Sequence, residues 1–185
     1  MFRSALLALP LLAACTAMPS GETASLPRDA VTGAGDPTRT AVFTTSSVFA
    51  QQRPAAGRPA DAARAIAQME FLAVDLPQNQ SFTMASGTLA PQLRTARREW
   101  RSALDIAPQA QPQAVINALY AASRALESGQ GDTAAAAALP SSIFRKGGAA
   151  TLTQLAGLPH LPSTASASVT AQQAIQTASS PRPAL

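Results

Sequence analysis

Leu89, Leu93, Ala96, Trp100 and Leu104 recur at steps of four, three, four and four residues, the period of one face of an α-helix. Arg94, Arg97, Arg98 and Arg101 fall on nearly the opposite face, so the segment reads as a strongly amphipathic helix whose apolar stripe has to be covered by something else. Two neighbouring segments offer matching stripes. Ala62, Ile66, Met69 and Ala73 follow the same period, and so do Val115, Leu119, Ala122 and Leu126. Stripes of this kind joined by short loops make a helical bundle, so the expected fold is all-α.

Punctuation along the chain sets the expected boundaries. Pro59 and Asp61 suit a first helical turn, and that helix ends at Asp75 before Pro77. Ser86 or Thr88 caps the second helix, with Pro91 in its first turn and an end at Ala107 before Pro108. The third helix spans about Pro112 to Glu127 and meets Gly129 as its C′ residue. Two shorter helices follow: Ala134 to Leu139, capped by Asp132 or Thr133, and Ala149 to Ala156, ending at Gly157 with Pro159 beyond. Gly147-Gly148 reads as a helix stop, having no phosphate-loop spacing.

Outside residues 58–158 the composition shifts to Thr, Ser, Pro, Gly and Gln. Residues 15–57 read as a long flexible tether, whose 42 residues after Cys15 would reach roughly 35 Å as a coil. Within it, Thr40 to Ala50 carries Val42, Phe43, Val48 and Phe49, which would dock on the domain as an extended strap or contact a partner. Residues 159–185 read as a disordered tail, with at most a frayed helix around Ser166 to Thr177.

The N-terminus supplies a location. Arg3 gives a positive start, Ala5 to Leu12 an apolar run of about eight residues, and Leu12, Ala13, Ala14 and Cys15 close it. A membrane span needs about 20 apolar residues, so the run is too short to be one. This segment resembles the signal peptide and lipobox of bacterial lipoprotein precursors. The resemblance covers about fifteen residues. It implies that residues 1–14 are removed, that Cys15 becomes a diacylated thioether, and that its new amino terminus is acylated too, palmitate being an expected chain. Two or three acyl chains would hold firmly, at up to about 0.8 kcal/mol per buried methylene. Thr16 is not the aspartate associated with inner-membrane retention, which implies the periplasmic face of the outer membrane. Beyond these residues no family is suggested.

Cys15 is the only cysteine, so no intramolecular disulfide can form and stability has to come from packing. That packing is built from small side chains: the chain is 46% apolar but only 4% aromatic. Without Arg3 the formal charge of +4 falls to about +3. The high pI, near 10.6, follows from arginine outnumbering lysine among few charges, and gives no ground for a nucleic-acid partner in an exported protein.

Catalytic chemistry has little to stand on. His160 is the only histidine and sits between prolines, which argues against His-based metal or nucleophile sites, and it reads as solvent-exposed. The ten carboxylates are scattered. Glu70 lies near the Ile66 and Ala73 face of its helix, where it would pair with an arginine as a structural ion pair. No cofactor, metal or enzymatic activity is expected. Two readings of the arginine face stand side by side. It is a solvated face partly neutralised by Glu99 and Asp105, or Arg94, Arg97, Arg98 and Arg101 grip anionic headgroup phosphates through bidentate guanidinium contacts. The expected function is accordingly a structural or interaction module of the cell envelope, with the membrane and envelope proteins as partners. The alternative is a periplasmic lipid- or acyl-ligand-binding helical module.

Overall fold

The computed structural model describes residues 21–31, 35–50, 57–79 and 86–179. The Leu12-Ala13-Ala14-Cys15 motif, and residues 180–185 of the expected tail, lie outside these. The described chain is an all-α bundle: α1 (Pro37–Phe49), α2 (Pro59–Asp75), α3 (Ser86–Ala103), α4 (Pro112–Glu127), α5 (Gly131–Ala137), α6 (Gly148–Ala156) and α7 (Pro162–Ser179), preceded by a 3-10 turn at Arg28–Ala30.

The central helix is α2. Pro59 sits in its first turn, where a missing N–H costs nothing, and Ala62, Ala63, Ala65, Ile66, Ala67, Met69, Phe71, Leu72 and Val74 are all buried around its circumference. A helix apolar on all sides belongs inside, and α2 packs against α4 most extensively, and against α1, α3 and α6. Its many alanines let those neighbours approach closely. The stripe of α3 is buried as its spacing predicts, with Leu93, Ala96, Trp100 and Leu104 wholly inaccessible and Leu89 nearly so. In α4, Val115, Leu119 and Ala122 are wholly buried and Leu126 partly so. Gly129, at φ 71, closes α4 as expected: the Gln130 N–H reaches the Ala125 carbonyl at 3.0 Å.

Besides α5, which runs Gly131–Ala137 with Asp132 and Thr133 inside it instead of Ala134–Leu139, and α3, which begins at Ser86 with Pro91 beyond its first turn, four features differ from the sequence reading. The first is in the expected tether, where α1 forms instead of an extended strap. Asp36 caps it by accepting from the Thr38 N–H at 2.9 Å, and Pro37 begins it. Its buried face is Thr38, Ala41, Val42, Thr45, Ser46 and Phe49, a helical period written half in hydroxyls, while Phe43 faces solvent. Thr45 satisfies its buried hydroxyl on the Ala41 carbonyl at 2.8 Å, and Thr38 donates to Asp75 on α2 at 2.9 Å. The segment before α1 also docks. Ser25 donates its N–H to Gln113 at 2.7 Å, and Asp29 takes two hydrogen bonds from Arg124, each 2.6 Å.

The second difference is α7, an eighteen-residue helix in the expected disordered tail. Thr164, Ala167, Ser168, Ala171, Ala174 and Ile175 are buried against α3 and α1, small enough for the helices to lie close. Its N-terminus is capped from another element. The Glu99 carboxylate on α3 accepts from the Ser163 N–H at 3.1 Å, and from the Thr164 N–H and hydroxyl at 2.8 and 2.7 Å. A carboxylate there satisfies orphan donors and complements the helix dipole. Glu99 therefore serves α7 rather than neutralising the arginine face.

Third, α3 stops at Ala103, four residues short of the expected end. Asp105 adopts φ 50, and the Ile106 N–H returns to the Arg101 carbonyl at 2.8 Å, a left-handed helix stop made without glycine. The chain then pairs Ile106 with Phe144 in an isolated antiparallel bridge, holding the loop after α5 against the core. Fourth, Gly147-Gly148 starts a helix instead of stopping one. Gly147, at φ 80, leads into α6, and a Cβ on Gly148 would stand 1.9 Å from the Ala136 carbonyl oxygen of α5. Only glycine permits that approach.

Candidate functional site: the arginine cleft on α3

The chemistry of this site begins with Glu70. Projecting from the middle of α2 toward α3, its carboxylate is wholly buried. Such a group demands compensating donors, and α3 supplies three residues spaced along one edge of its stripe. Arg97 donates from Nε at 2.9 Å and lies 2.8 Å away through Nη2. The Trp100 indole N–H donates at 2.9 Å. Arg101 binds both carboxylate oxygens side-on, its Nε at 3.2 Å. Arg101 also donates to the Ala110 carbonyl at 3.0 Å, so one guanidinium joins α2, α3 and the loop leading into α4.

Two of the four arginines expected on the open face are thus turned inward. Arg97 and Arg101 follow Ala96 and Trp100 by one position each, which puts them at the margin of the buried stripe rather than opposite it. Their side chains are only 18% and 13% exposed. Arg97 is shared with Glu22, from the N-terminal segment, whose carboxylate receives Nη1 at 2.6 Å. Burial alone would lower the Arg97 pKa, but the Glu22 and Glu70 carboxylates more than offset it and raise it above its ordinary value. Both carboxylates favour the charged form of this guanidinium.

Arg94 and Arg98 are exposed, one turn apart, and neither has a carboxylate partner among the described residues. Arg98 donates only to Thr95 within its own helix, at 3.1 Å. They open onto a surface cleft of about 520 Å³ whose walls include Glu22, Arg97, Arg101, Asp105 and Arg145. Arg145 pairs with Asp105, whose left-handed backbone turns the loop into this cleft. Five arginines here meet three carboxylates, Glu22, Asp105 and Glu70 beneath them. The pairing leaves the excess positive charge on Arg94 and Arg98.

Sequence reasoning placed Glu70 against an arginine and singled out all four arginines of α3. It missed Glu22 and Arg145, which reach the cleft through tertiary contacts with no local signal. His160 is exposed, as expected, and no three His, Cys, Asp or Glu side chains gather as metal ligands among the described residues. Cys15, the expected lipidation site, lies outside the described residues. No family model, curated protein or solved structure matches this chain.

Proposed function

We propose that this chain is a lipid-anchored helical module of the bacterial envelope, acting by contact with other envelope components from the periplasmic face of the outer membrane and not as an enzyme. The observation that carries the reading is Cys15 directly after Leu12-Ala13-Ala14, at the end of a short apolar run that begins behind Arg3. Two features of the fold are in keeping with it. No helix among the described residues is long and apolar enough to cross a membrane, so attachment through covalent lipid is the mode the sequence offers. The domain also packs its polar network inward, with the Glu70 carboxylate held by three neighbours, which suits a rigid presenting surface.

Density-gradient fractionation of cells making the wild-type chain or Cys15→Ala tests the proposal. Wild type is expected in the outer-membrane fraction and the variant in the soluble periplasmic fraction. Identical soluble distribution of both proteins would reject it.

A further inference from the structure

The geometry points to the Arg94–Arg98 cleft as the face that docks on the phosphates of anionic lipid headgroups; this rests on the lipid anchor at Cys15 proposed above. Two independent observations converge on it. The first is length. Glu22 is fixed to Arg97, and the Gln78 side-chain amide donates to the Glu22 carbonyl at 3.0 Å, so the chain is pinned to the domain seven residues after Cys15. Seven residues span at most about 25 Å when fully extended. The tether expected to run to residue 57 would have let the domain turn freely above the membrane. A leash that ends at Glu22 does not, because Glu22 is itself a wall of the cleft. The anchor therefore keeps this side of the domain within about 25 Å of the lipid surface, close enough to enter a field that decays over about 8–10 Å.

The second observation is charge. Arg97, Arg101 and Arg145 are already neutralised by Glu22, Glu70 and Asp105, while Arg94 and Arg98 have no carboxylate partner among the described residues. Like charges one turn apart on a helix repel, and an anion between them removes that repulsion. A guanidinium offers parallel N–H donors that match phosphate oxygens. The floor beneath them is rigid, since Glu70 fixes the neighbouring turns of α3 to α2.

The test uses the mature chain, residues 15–185, carrying Cys15→Ala, so that neither lipid nor the apolar leader contributes, in co-sedimentation with vesicles of phosphatidylcholine alone or with about one third phosphatidylglycerol. Binding is expected only to the anionic vesicles and to fall with added salt. Arg94→Gln with Arg98→Gln should weaken it about thirty-fold, about five-fold per arginine. The charge-matched pair Arg39→Gln with Arg58→Gln, on α1 and before α2, should leave it nearly unchanged. Absence of binding at low salt, or equal losses from both pairs, would overturn the inference. So would saturable binding of inorganic phosphate without vesicle binding, which would assign the cleft to a soluble anion. None of these outcomes depends on whether Cys15 is acylated, so the anchor and the cleft fail separately.

Discussion

Replacing Glu70 with alanine removes the acceptor on which three side chains of α3 converge. The carboxylate is wholly buried, and Arg97 and Arg101 are each less than one fifth exposed, so their charges cannot simply turn to water. Breaking a buried pair by deleting one partner costs about 3–5 kcal/mol, because the other partner is left uncompensated. Arg97 retains Glu22, at 2.6 Å, which places the expected loss near the lower end, about 3 kcal/mol. With a urea slope of about 2 kcal/mol per molar, the unfolding midpoint should fall by about 1.5 M. Trp100 is the only tryptophan and donates its indole N–H to Glu70, so its fluorescence reports both the unfolding and the loss of that hydrogen bond. A buried network is little screened, and the loss should be nearly the same in 0.1 M and 1 M salt, values chosen to bracket a Debye length of about 10 to 3 Å. Glu22→Ala, which removes a carboxylate that is half exposed, should cost less than about 1 kcal/mol. A Glu70→Ala midpoint shift no larger than that of Glu22→Ala would refute the reasoning.

Three further outcomes follow from particular contacts. Gly148→Ala should destabilise the fold by about 1–3 kcal/mol or more and loosen α5 from α6, because its Cβ would collide with the Ala136 carbonyl; thermal unfolding checks this, and an unchanged midpoint contradicts the close approach. Glu99→Ala should cost about 1–2 kcal/mol and selectively speed amide hydrogen exchange at Ser163 and Thr164, the donors it caps. Tyr120, the only tyrosine, has its pKa raised by burial, with the Gln68 amide hydrogen bond opposing the rise. The unfolded chain then releases the phenolic proton first, so this contribution is fully present below about pH 10 and is lost as pH rises through the folded pKa. Phenolate absorbance should appear above pH 10 in the native protein and near 10 in denaturant; coincident curves would show that the ring is not buried.

The helices of the centre were legible because their buried faces are written in Leu, Ile, Met, Val and Trp at helical spacing. Residues such as Leu93, Trp100 and Leu119 leave no other way to cover so much apolar surface. Helices α1 and α7 use the same period with Thr38, Thr45, Ser46, Thr164 and Ser168, hydroxyl residues that favour caps and turns over helix interiors. Their helicity is decided by tertiary partners: Asp75 for Thr38 and the Glu99 cap for α7. The end of α3 was misplaced because Asp105 occupies a left-handed position that glycine usually marks. At the candidate site, the arginines and Glu70 stood out by type and spacing. Which arginines remain open did not: Arg97 and Arg98 are consecutive residues, and the split is made by the tertiary partners each one reaches. The contribution of Glu22 follows from a chain path that carries no periodic signal at all.

The intact mass of the mature protein tests the central claim, an anchored module, most directly. Wild-type protein extracted from the envelope should begin at Cys15 and carry a mass increment of two or three acyl chains with the thioether-linked glycerol, and Cys15→Ala should carry none. An unmodified wild-type chain cleaved at another position would contradict the account.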